Sequence, residues 1–99
     1  MTEYGECQWH IPKTDARPVQ LSDGRILVPD VLHAAHPSLP LGTYAVIQNV
    51  DNGNTVTVEI TERGPSVAGR VADLSKAAFE QLADLDQKVI ECTVTPVEE

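Results

Sequence analysis

Between Thr55 and Thr61 the chain alternates strictly, with Val56, Val58 and Ile60 on one face and Thr55, Thr57, Glu59 and Thr61 on the other. A period of two carried by β-branched residues predicts a strand with one face buried and the other wet. Thr43 to Asn49 reads as its hairpin partner, because Asp51-Asn52-Gly53-Asn54 between them supplies residues that tolerate positive φ. Glu3 to Trp9 is predicted as a first strand, and Lys88 to Val94 as a last one ending at Pro96. Ile26 to Val28 is a short apolar run, and Val31 to His36 is followed by Pro37 and Pro40, which block helical extension. Glu62-Arg63-Gly64-Pro65 breaks the alternating strand into a loop reaching Gly69-Arg70. After a short Val71-Ala72 the period changes. Leu74, Ala78 and Leu82 share one stripe beside Phe79, predicting a helix over Asp73 to Ala83 that Asp73 or Ser75 caps. This order is that of a mainly-β domain with one short helix.

Ninety-nine residues hold one core, so residues 1–99 are read as a single domain. With only four aromatics, Tyr4, Trp9, Tyr44 and Phe79, that core must rest on Val, Ile, Leu and Ala. Fifteen acidic against seven basic residues give a net charge of -8. Such a balance argues against nucleic acid and against anionic membranes, which both select a basic footprint, and it leaves neutral glycans open. No stretch approaches a membrane span, and the opening MTEYGECQWH lacks the basic and apolar regions of a secretory leader. Cys7 and Cys92 lie near opposite ends. A disulfide between first and last strands and two separate buried thiols are both open readings of that pair.

Four blocks then fall in register: HAAHPSLPLGTYAVIQNVDNGNTVTVEI, TERGPSVAGR, VADLSKAAFEQL and a closing strand. Their order and spacing resemble the rare lipoprotein A domain, related to bacterial expansins and barwin-like domains, most strongly over Leu32 to Leu82. The resemblance implies a six-stranded double-psi β-barrel with an open groove in which glycan strands lie. It also implies two groove acids, Glu62 in the loop TERGP and Asp73 in the step before the helix, the paired carboxylates that glycan cleavage uses. His36, matching the family's histidine after the paired alanines, becomes a candidate glycan contact together with Arg63 and Tyr44. Each has a plainer reading: a helix cap for Asp73, a solvated loop acid paired with Arg63 for Glu62, a satisfied structural histidine for His36, and a core or rim aromatic for Tyr44.

Family members known as lytic transglycosylases carry a glutamate, and an aspartate three residues on, upstream of this histidine. Counting back from His36 places that step at Leu21-Ser22-Asp23-Gly24-Arg25, with Arg25 in place of the glutamate and Val28 in place of the aspartate. Asp23 and Asp30 could substitute only with a shifted loop. His33, His36, His10 and Cys7 make a zinc site only on paper, so no metal and no cofactor are expected. The resulting expectation is a barrel associated with bacterial cell-wall peptidoglycan, binding glycan with lost or weak lytic transglycosylase activity. The alternative is a structural component of a phage particle or other surface assembly, with other protein subunits as partners. The first reading implies the cell envelope or the extracellular space, the second a virion.

Overall fold

The computed structural model describes residues 2–9, 19–20, 26–27 and 32–97. In chain order the strands are β1 (Glu3–Trp9), β2 (Val19–Gln20), β3 (Ile26–Leu27), β4 (His33–Ala35), β5 (Tyr44–Asn49), β6 (Thr55–Glu62), β7 (Arg70–Leu74) and β8 (Val89–Pro96). A helix α1 (Lys76–Glu80) and a 3-10 turn (Leu85–Gln87) lie between the last two. Six strands close a barrel in the order β1-β7-β4-β6-β5-β8, and β2 and β3 pair separately. Two contacts in the barrel are parallel, β1 with β7 and β4 with β6, and the others are antiparallel. This is the expected double-psi barrel with one short helix.

The alternating strand behaves as its pattern requires. Val56, Val58 and Ile60 join Ala45, Ile47, Leu74 and Val94 in the core, while Thr55 and Thr57 face solvent. Between β5 and β6 the chain turns with Gly53 at φ +78°, which suits a residue without a Cβ. Asn49 and Asn52 make Asx turns there, accepting from the amides of Asp51 and Asn54. Their side-chain amides both donate to the carbonyl of Leu82, at 3.0 and 2.9 Å. The hairpin tip thus satisfies the backbone where the chain leaves the helical segment.

Helix α1 is shorter than its apolar stripe predicts. It begins at Lys76, three residues after Asp73, because Asp73 and Leu74 are drawn into β7, where they register with Gln8 and Trp9 of β1. Ser75 is the cap, its Oγ accepting from Ala78 N at 3.3 Å, so Asp73 does not cap the helix. The predicted loop through Gly69-Arg70 likewise gives way to strand at Arg70.

Cys7 and Cys92 form a disulfide, with Cα atoms 5.8 Å apart, and both are fully buried. It ties β1 to β8, adjacent strands drawn from opposite ends of the described chain.

Candidate functional site

Ala35 is the centre of the candidate site. On β4 it registers with Glu62 of β6 on one side and Asp73 of β7 on the other, and Asp73 registers in turn with Gln8 of β1. Registered residues share a face of the sheet. The neighbouring row of Ile60, Ala34 and Leu74 is buried in the core, so the row Glu62–Ala35–Asp73–Gln8 faces outward. With strands about 4.8 Å apart, the Cα atoms of Glu62 and Asp73 stand about 10 Å apart. Only the methyl group of Ala35 lies on the strand between them. Both acids are half-buried. Two carboxylates across such a narrow floor can flank one glycosidic bond, one giving a proton and the other steadying positive charge on the sugar.

A β-bulge puts Glu62 there. Ala34 pairs with Ile60 but Ala35 pairs with Glu62, leaving Thr61 as the extra residue in β6. Without the bulge, strict alternation would send Glu62 inward. Thr61 stays on the outward side, as its pattern predicts, yet it is 3% exposed, with Oγ1 3.4 Å from His33 Nδ1. The outer face beneath the acids is therefore covered rather than wet.

His36 closes this end of β4. Its amide donates to the carbonyl of Glu62 at 3.0 Å. Its ring is 1% exposed: Nδ1 accepts from the amides of Ser38 and Leu39, both at 3.0 Å, and Nε2 meets the carboxylate of Glu3. Two amides pointing at Nδ1 fix the tautomer, with the proton on Nε2 and donated to Glu3. A sugar could reach this ring only by displacing Glu3, which favours the structural reading of the histidine. Arg63 is committed to the same loop, donating from Nη1 to the carbonyls of His36 at 3.2 Å and Leu39 at 2.6 Å. Tyr44 registers with Glu59 at the start of β5, half-exposed, and one outward position further along β4 separates that row from the acid row.

Of the residues singled out in the sequence, Glu62 and Asp73 come together, with His36 and Arg63 bracing the loop beside Glu62 and Tyr44 one outward row away on the neighbouring strand β5. Leu21 to Arg25, Val28, Asp30 and His10 lie outside the described residues. Among the described residues, no three of His, Cys, Asp and Glu are grouped to hold a metal ion. Sequence reasoning did not reach Gln8, which completes the acid row and accepts from Arg70 Nη1, or Glu3, which anchors His36. Neither belongs to a recognisable motif, and only the barrel register brings them in.

Residues 6–97 match the double-psi β-barrel family model described as lytic transglycolase. The endolytic peptidoglycan transglycosylase RlpA of Yersinia pestis is 44% identical over 68 residues, covering 69% of this chain and 19% of that protein. Its counterpart in Helicobacter pylori is 38% identical over 84 residues, covering 85% of this chain and 26% of that protein. The chain therefore spans about a quarter or less of the length of these relatives. Among solved structures, a mutant Clavibacter michiganensis expansin in complex with cellohexaose superposes with a TM-score of 0.78 at 20% identity, over 99% of this chain and 51% of that one. A Streptomyces papain inhibitor superposes equally well, at 0.78 and 22% identity, over 99% of this chain and 96% of that one. Likeness at this level of identity is likeness of fold.

Proposed function

From the premise that the chain belongs to the double-psi β-barrel family of lytic transglycolases, we propose that it binds the glycan strands of peptidoglycan across the row Glu62–Ala35–Asp73–Gln8, with lost or weak lytic transglycosylase activity. The observation that carries this is the common register of Glu62 and Asp73 on Ala35. Peptidoglycan is the substrate class named for the RlpA relatives, and the expansin neighbour holds a linear β-glucan oligosaccharide. The lost or weak activity is supported by the ungapped count back from His36, which sets Arg25 and Val28 at the family's usual acid step. Glu62 also carries one more methylene than the aspartate usual at its position, and a misplacement of about an ångström is costly for proton transfer.

The test is incubation of the purified chain with peptidoglycan sacculi, reading co-sedimentation and release of anhydro-muropeptides together. Co-sedimentation with little or no release is expected. The Glu62→Gln/Asp73→Asn variant should bind roughly tenfold more weakly, as hydrogen bonds from sugar hydroxyls to charged acceptors are lost. Abundant release that disappears in Glu62→Gln would overturn the weak-activity part. Neither binding nor release would move the reading to an interaction module in a surface assembly.

A further inference from the structure

The wall of the barrel opposite the acid row has a composition of its own. On the outward faces of β1, β8, β5 and β6, Tyr4, Thr93, Gln48 and Thr55 register in one row. In the next, Thr95, Val46 and Thr57 register, and Thr2 joins through a 2.8 Å hydroxyl contact with Thr95. Neither row holds a charge, in a chain with fifteen acidic residues. Glu6 and Glu91 border the patch on one side and Glu59 on the other.

Tyr4 is the anchor of this surface. Its ring is 63% exposed, the largest exposure among the described large apolar side chains, yet it is not free to swing. Its hydroxyl donates to Glu91 Oε2 at 2.7 Å. Glu91 stands directly opposite Glu6, an unfavourable like-charge pair that Tyr4 relieves on one side and Arg70, 3.2 Å from Glu6, on the other. An exposed aromatic face held in place loses little freedom when a flat apolar ligand surface stacks on it. Tyr44 stands diagonally across the patch, about 16 Å away by strand geometry, at the corner nearest Glu62 and beside a depression lined by Leu41, Thr43 and Val97.

We infer that this wall is a second glycan-binding surface, distinct from the acid row. Its ligand is the uncharged sugar backbone of a polysaccharide strand. Ring faces stack on Tyr4 and Tyr44, and sugar hydroxyls bond the threonine and glutamine side chains between them. The acidic border disfavours nucleic acids and other polyanions. The inference rests on the proposed association with wall glycan, and adds that the barrel grips glycan on two walls.

Co-sedimentation with sacculi tests it, using the full chain and comparing the wild type, Tyr4→Ala/Gln48→Ala, Tyr4→Phe and Glu62→Gln/Asp73→Asn. Retention of the far-ultraviolet circular dichroism spectrum and of the disulfide serves as the check on folding. The expected result is a several-fold loss of affinity in Tyr4→Ala/Gln48→Ala, a smaller loss in Tyr4→Phe, which keeps the ring, and residual binding in the acid-row variant. Wild-type affinity in Tyr4→Ala/Gln48→Ala, alongside loss in the acid-row variant, overturns the second surface and leaves the proposed function standing. Absence of wild-type binding removes both. A change in self-association without a change in glycan binding, read by sedimentation velocity, also overturns the inference and assigns the wall to a second copy of the chain.

Discussion

Tyr4 shows how one side chain can be exposed and constrained at once. The hydrogen bond to Glu91 raises its phenol above the ordinary value of about 10, with smaller contributions from burial and from the charges of Glu91 and Asp51. A raised value means that the folded state favours the protonated phenol. The stability this bond contributes is therefore fully present below about pH 10 and is lost as pH rises through the higher folded-state value. In an alkaline titration followed by phenolate absorbance, subtracting Tyr4→Phe from the wild type should leave a step centred above pH 10. A difference step at or below pH 10 would show that the bond to Glu91 is not kept in solution. The two acids were readable from residue type and motif, but their meeting on Ala35 was not, because that depends on which strands pair. His36 was readable as a candidate while its partner was not, since nothing in the sequence links Glu3 to a histidine 33 positions away.

Among the elements, the two parallel contacts each contain a bulge, at Thr61 in β6 and at Val71 in β7, where Glu6 pairs with Arg70 but Cys7 with Ala72. The second explains Gly5. A Cβ there would lie 2.6 Å from Val71 Cγ1 and 3.0 Å from the carbonyl of Gly69, so the strand approaches the bulge more closely than any other residue type permits. Gly5→Ala should cost about 1–3 kcal/mol in denaturant unfolding, as overpacking does. Gly5→Ala/Val71→Ala should recover part of that loss relative to the sum of the two single changes, and strict additivity would disprove the contact. The long alternating strand was legible from its period and its hairpin from the turn residues between, and the two terminal strands were expected at Glu3 to Trp9 and Lys88 to Val94. Bulges were not, because the alternation breaks at Thr61-Glu62 just where the sequence reads as the start of a loop, and the extra residue shows only against the partner strand. The helix was over-read for a related reason. Leu74 fits its stripe and Asp73 its cap, but pairing with β1 and β4 outweighed local preference.

For the molecule as a whole, the disulfide is the longest-range covalent constraint, closing 85 residues. In the chain-entropy account such a loop stabilises by about 4–5 kcal/mol. Guanidinium unfolding with and without reductant, and in Cys7→Ala/Cys92→Ala, should show a loss of that order, and coincident curves would contradict it. The overall class and the strand order of the hairpin half were legible, whereas the closing pair of β1 with β8 was signalled only by Cys7 and Cys92 and that with β7 by nothing local, since no local pattern announces a partner more than sixty residues away. That closure has a consequence in time. Of the six barrel strands β1 is made first, yet both of its neighbours lie beyond residue 69. The β5–β6 hairpin can form early from local contacts, while the first strand waits with both edges open until nearly the last strand exists. Barrel closure is therefore a late and comparatively slow event, and the unpaired first strand is the part of the nascent chain most exposed to mispairing in the interval.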